Sequence, residues 1–173
     1  KDIVIRYALN DCIDLPETSV RTMYTNLSTK TRKAYNTLSE ESVLYTQQGT
    51  INAVNAGARV KKLLQLITGA IYDQEGTVQF VHEERYELIM DLIEQRKHSL
   101  VAFNWKHERD NLIQLAEKRK ISYAVIDGDV NVKERKSIVD RFQNGHIQVL
   151  FAHPQSAGHG LTLTKGTCTI WSS

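Results

Sequence analysis

The sequence predicts an α/β fold built on a parallel sheet with helices on both sides. Three observations predict it. The runs SLVAF (99–103), SYAVI (122–126), IQVLF (147–151) and CTIW (168–171) are short and apolar on both faces, as strands buried between two helix layers are. Stretches with helical apolar spacing lead into the first three, the alternation that builds such a sheet. Those three runs are also followed by polar loops, NWKHE, DGDVN and HPQSAGHG. In a parallel sheet such loops share the edge where ligands bind.

The elements follow in chain order. LPETSVRTMYTNLS alternates from Thr18 to Leu27 and reads as a strand ending at a turn. Ser28 is an N-cap for a helix to about Glu41, with Ala34, Tyr35 and Leu38 as its apolar face. YTQQGTINAVNAG reads as a polar connection. Val60, Leu63, Leu64, Ile67 and Ile71 then recur at helical spacing. Arg59, Lys61 and Lys62 lie mostly off that stripe and read as a solvated face rather than a docking patch. DQEG, Asp73 to Gly76, is a turn. A helix carrying Tyr86, Ile89, Met90 and Ile93 leads to SLVAF, and one carrying Leu112, Leu115 and Ala116 leads to SYAVI. A third, from about Val132 to Phe142, leads to IQVLF. There is no internal repeat and no low-complexity segment.

Composition narrows the class. With 173 residues, 41% of them hydrophobic, the chain suits one α/β domain with a small appendage. A net charge of +2 neither announces nor excludes a nucleic-acid partner. Cys12 and Cys168 form no CxxC, which speaks against a disulfide or zinc framework and fits a reducing cytosol. No apolar run approaches the ~20 residues of a membrane span, and KDIVIRYALND lacks a signal-peptide layout. A cytoplasmic protein without a membrane partner is expected. The sequence begins mid-pattern and stops just after an apparent strand, so a piece of a longer protein is expected too.

The three loops offer different chemistry. In NWKHE, Asn104 is a neutral donor, Trp105 a stacking face and Lys106 a charge. The opening of the next helix there would favour an anion. Equally, Asn104 could cap that helix with Trp105 packed. In DGDVNVKER, Gly128 permits close backbone approach or a positive φ. Asn131 and Glu134 form a capping-box pattern. Arg135 lies near the centre of a stripe formed by Val132, Ile138, Val139 and Phe142. An inward charge needs a partner, either a carboxylate inside the domain or an anion beyond the sheet edge. In HPQSAGHG, Ser156 has a hydroxyl suited to phosphate, and Gly158 and Gly160 expose amides. The loop is not a complete GxGxxG or P-loop. His153 and His159 lack metal-ligand spacing, and Ser156 is not in a GxSxG elbow.

SLVAFNWKHERDNL, YAVIDGDVNVKERKSIVDRFQNG and QVLFAHPQSAGHGLTLT stand in the order and spacing of helicase motifs IV, IVa and V. Together they resemble the second RecA-like lobe of superfamily-two helicases. AGHGLTLT and LPETSVRTMYTNLSTKTRKAYNTL are similar to the SWI/SNF-related branch in its bacterial or phage form. The resemblance spans essentially the whole chain. It implies an N-terminal strand-plus-helices extension over 1–75 and a RecA-like lobe over 76–173, truncated before motif VI.

That resemblance implies an ATP-driven translocase on double-stranded DNA, recognised without regard to sequence, with a first RecA-like lobe as partner and ATP and Mg²⁺ as cofactors. The P-loop and the Mg²⁺-holding carboxylates belong to the first lobe. This sequence has no GK pair and no DE pair, so the chain alone is expected to be inactive. By position, Ser156, Asn104, Trp105, Lys106, Gly128, Arg135 and His159 are implied on the nucleic-acid side. Gly158, Gly160 and Thr162 are implied on the nucleotide side. Two departures stand out: AGHGLTL is one residue shorter than the commoner AGGLGINL, with His159 in the altered position. Val132 replaces the glutamine of DEAD-box relatives. Two other functions fit less well, a DEAD-box-like RNA helicase lobe and a non-catalytic protein-binding scaffold.

Overall fold

The structure is a computed structural model that describes residues 18–46 and 48–173. Readings placed on residues 1–17, Cys12 among them, lie outside the described residues. Residues 18–28 form no regular structure, so the strand expected from Thr18 to Leu27 is not there. Alternation marks a strand only where a neighbour pairs its backbone, and Val20 and Tyr24 are 88% and 85% exposed. Helix α1 (Thr29–Glu41) starts as expected, with Thr31 N–H donating to Ser28 Oγ at 3.1 Å. It buries Leu38 and packs Ala34 and Tyr35.

The polar stretch that follows is in fact a hairpin. Strands β1 (Val43–Thr46) and β2 (Gly49–Asn52) pair antiparallel, with Leu44 opposite Ile51. Each contributes one buried apolar residue, too weak a pattern to show in the sequence. Helix α2 (Ala56–Ile67) is capped by Asn55. Its inner side matches the expected stripe only in part: Leu63 packs on the core, but Gln65 and Leu66 are buried, while Val60 and Leu64 are 56% and 48% exposed. Ile71 has left the helix for β3 (Ala70–Tyr72), which pairs antiparallel with β4 (Val78–Phe80). The turn between them is closed by Asp73, whose carboxylate accepts from the Glu75 and Thr77 amides at 2.9 and 2.8 Å. Leu38, Leu44, Ile51, Leu66 and Ile71 form one core for these elements.

The rest alternates helix and strand: α3 (Glu84–Glu94), β5 (Ser99–Ala102), α4 (Lys106–Lys118), β6 (Tyr123–Ile126), α5 (Val132–Gln143), β7 (Val149–Ala152), α6 (Pro154–Ala157) and β8 (Cys168–Trp171). The strands form one parallel sheet in the order β6-β7-β5-β8. Successive strand residues face opposite sides, which divides the core in two. Val149 and Phe151 pack with Val101 beneath α3 and α4, against Tyr86, Ile89, Met90, Ile93, Leu112, Leu115 and Ala116. Leu150 packs with Ala124 and Ile126 beneath Ile138 and Phe142 of α5. Each fully buried apolar side chain contributes roughly 1.5–3 kcal/mol. β8 departs from the expected two-sided burial: Ile170 packs inward, whereas Trp171 is exposed. Among the described residues no helix is long and apolar enough to cross a membrane.

Two polar devices orient these parts. Arg119 of α4 pairs with Glu87, Asp91 and Glu94 of α3. Hydrogen bonds donated to Asp91 and Glu87 hold its guanidinium pKa above the usual value. The N-terminal elements join the sheet through Thr68, whose carbonyl accepts from the Tyr86 hydroxyl. Buried His107 reaches the same residue, 3.1 Å from Thr68 Oγ1 on one nitrogen and 3.1 Å from the Tyr72 hydroxyl on the other.

Candidate nucleic-acid interface

Because β5, β6 and β7 run parallel, the loops after them emerge at one edge of the sheet. Strand order sets DGDVN, HPQSAGHG and NWKHE side by side, in that sequence.

At NWKHE the N-cap is Trp105, not Asn104. The cap comes from Glu108, three residues on. Its Oε2 accepts the Asn104 and Trp105 amides at 2.9 and 3.0 Å. The carboxylate is fully buried and also takes the hydroxyls of Ser172 and Ser173, at 2.8 and 2.9 Å. Those two amides are therefore already taken. The Asn104 side chain donates to Ser173. Trp105 is half-buried, its ring stacked on His107 at 6.5 Å and 12°, with the Lys61 ammonium 5.9 Å from its centroid. Lys106 is exposed.

At DGDVN, Arg109 of α4 pairs with Asp127 at 2.8 Å. Burial pushes the Asp127 carboxyl up, but the Arg109 hydrogen bond, the Asp129 amide and the Arg109 charge outweigh it. Its pKa lies below the ordinary carboxylate value. Gly128 is exposed and outside the positive-φ region, and a Cβ there would meet nothing, so this backbone does not demand glycine. Asn131 caps α5, accepting the Glu134 amide at 2.9 Å. Val132, expected on the apolar stripe, is 83% exposed, because the first helical position still points out over the loop. Arg135 is half-buried. One Nη donates to the Val130 carbonyl at 3.4 Å, and its buried Nε has no partner. Among the described residues no carboxylate pairs with it.

HPQSAGHG is a single helical turn, α6, followed by an exposed bend. Ser156 is half-buried within the turn, its amide donating to the His153 carbonyl at 2.9 Å. Gly158 donates to the Pro154 carbonyl, and a Cβ at Gly158 would lie 2.6 Å from that oxygen. Gly160 has φ +72°, a left-handed conformation. His159, Gly160 and Thr162 are all exposed. Ala157 and Leu161 pack with Val130 on the Ile138 cluster, which joins this turn to the Arg135 loop. The His153 ring meets Phe103 edge-on at 5.9 Å, which ties it to β5.

Five residues at this edge did not stand out in the sequence: Lys61, His107, Glu108, Arg109 and Asp127. Only Glu108 carried a signal, an acidic residue three places after an N-cap. A tryptophan in the cap position hid it.

Comparisons with known proteins agree with this architecture. The family described as helicase conserved C-terminal domain matches residues 84–172. Protein p41 of Acyrthosiphon pisum secondary endosymbiont phage 1 is 29% identical over 168 residues, 95% of this chain and 34% of its own length. Protein CHROMATIN REMODELING 24 of Arabidopsis thaliana is 28% identical over 135 residues, 75% of this chain and 12% of its own length. The chain thus spans about a third or less of these relatives. Among solved structures, the Sulfolobus solfataricus SWI2/SNF2 ATPase C-terminal domain superposes with a TM-score of 0.64 at 20% identity. That match covers 87% of this chain and 70% of the other.

Proposed function

The chain belongs to the helicase conserved C-terminal domain family, and on that premise we propose that it is the second motor lobe of an ATP-driven translocase on double-stranded DNA. Its share of the work is to hold the phosphate backbone along the loop edge and to close an ATP site against a first RecA-like lobe. The observation that carries the DNA-binding half is Arg135. A half-buried guanidinium whose Nε has no partner and which forms no ion pair among the described residues leaves its charge without a counter-charge. An arriving phosphate supplies the missing partner, and guanidinium suits phosphate geometry.

In this reading Ser156 offers its hydroxyl to the same backbone, with Asn104, Trp105, Lys106, Gly128 and His159 around it. Gly158, Gly160 and Thr162 present exposed backbone and a hydroxyl toward the nucleotide. In this reading Mg²⁺ is held by the first lobe. When bound, ATP and Mg²⁺ supply the phosphoryl-transfer chemistry. The residues here orient DNA and cover one side of the nucleotide. The extension to residue 75 and the lobe from residue 76 act as one body in this proposal, since the β3–β4 hairpin straddles that boundary. A phage relative supports action in the cytoplasm of a bacterial or phage-infected cell.

The test is Ser156→Ala and Arg135→Ala in the two-lobed protein. Both should lower duplex-stimulated ATP turnover while circular dichroism and melting stay native-like. Full stimulation in both variants would refute the assignment.

A further inference from the structure

Three basic residues of α2 look equivalent in the sequence and meet different fates in the fold. Arg59 donates to the Ser39 carbonyl and the Ser42 hydroxyl, both at 3.3 Å, at the end of α1. Lys62 donates to the Tyr72 carbonyl. Burial and the neighbouring Lys61 lower its pKa, against a smaller opposing pull from Asp73. Lys61 alone points its charge toward the loop edge of the sheet, 5.9 Å from the centroid of Trp105.

Trp105 is a fixed platform for that charge. Its ring stacks on His107, and His107 is held by Thr68 and Tyr72. The same segment that carries Lys61 therefore anchors the ring that Lys61 sits over. Lys106, the next residue, is exposed, and neither lysine has a carboxylate partner among the described residues. One unpaired ammonium, from the extension, thus lies over the ring, and a second exposed lysine follows the ring directly in the chain at the start of α4. Like charges gathered without a counter-charge favour an anion between or beside them.

We infer that Lys61 is a backbone-binding residue for nucleic acid, which makes α2 part of the interface rather than a support for it. The ligand class is a phosphodiester, met by Lys61 and Lys106 together. The inference rests on the DNA-binding reading above and extends it to an element outside the helicase motifs.

The experiment is fluorescence anisotropy of the chain with a labelled duplex DNA, titrated at several salt concentrations. Lys61→Met keeps an unbranched stem of similar length and removes the charge. Lys61→Arg keeps the charge. Neutralising one phosphate fewer should flatten the plot of log affinity against log salt by about 0.9. Between about 50 and 200 mM salt the advantage of the native chain over Lys61→Met should then shrink about threefold. Lys61→Arg should restore the native slope. If Lys106→Ala flattens the slope and Lys61→Met does not, the inference fails and the DNA reading stands. If Lys61→Met, Lys106→Ala and Ser156→Ala all leave binding unchanged, the DNA reading itself fails. A lower melting temperature in Lys61→Met with an unchanged slope shows that Lys61 only packs, which also overturns the inference.

Discussion

The Glu108 carboxylate and the Ser172 hydroxyl lie 2.8 Å apart, which joins the first turn of α4 to the end of β8. The same carboxylate holds the Asn104 and Trp105 amides. One buried side chain thus fixes the shape of the NWKHE loop and the outer edge of the sheet.

Replacing Glu108 with Ala leaves two amides and two hydroxyls without their acceptor. The expected cost is about 3 kcal/mol, since each hydrogen bond to a charged group contributes roughly 1.5–3 kcal/mol and hydroxyls can turn elsewhere. Urea denaturation reads it directly. A loss under about 1 kcal/mol would mean that water replaces the carboxylate with little penalty.

His107 should make stability pH-dependent. Burial lowers its pKa from 6.5, and Glu108, the Thr68 backbone and Asp110 offset this only in part. The folded state therefore binds a proton less readily than the unfolded chain. The His107 contribution is complete above about pH 6.5 and declines as pH falls below it. Melting temperature between pH 8 and pH 5 should show this decline. In His107→Asn the curve should start lower and run flatter. Asp127 acts in a separate window. Its depressed carboxyl contributes stability above its ordinary pKa of 3.8, lost at more acid pH.

The Arg109–Asp127 pair is partly shielded, with side chains 23% and 13% exposed. A double-mutant cycle with Arg109→Ala and Asp127→Ala should give a coupling of about 1–2 kcal/mol, between exposed and buried pairs. Coupling near zero would mean that α4 and the DGDVN loop are joined by packing alone.

Two glycines in the motif V segment should respond differently from Gly128. At Gly160 a side chain must adopt φ +72°, at about 1 kcal/mol. At Gly158 a Cβ meets a backbone oxygen at 2.6 Å, so the α6 turn must shift. Gly158→Ala and Gly160→Ala should both lower stability. Gly128→Ala, in open space, should not. Equal tolerance at all three would show that the segment is not held in this conformation.

Much of the sheet was legible because burial on both faces writes itself as uninterrupted apolar runs. Tyr86, Ile89, Met90 and Ile93 kept strict helical spacing and are all buried. The N-terminal elements were harder to read. Leu44 and Ile51 are one buried residue each in four-residue strands, and α2 buries Gln65 while exposing Val60 and Leu64. The loops were legible as neighbours, since parallel strands put them at one edge. Their internal bonding was not, because Glu108 and Ser172 lie 64 residues apart and no local pattern links them.

In the proposed function this lobe works only with a first lobe and on duplex DNA. The most direct measurement is ATP turnover by the chain alone and by the two-lobed protein, each with duplex DNA, with RNA and with neither. The account predicts no turnover by the chain alone and, in the two-lobed protein, stimulation by duplex DNA well above that by RNA. Turnover by the chain alone, or equal stimulation by RNA, would contradict it.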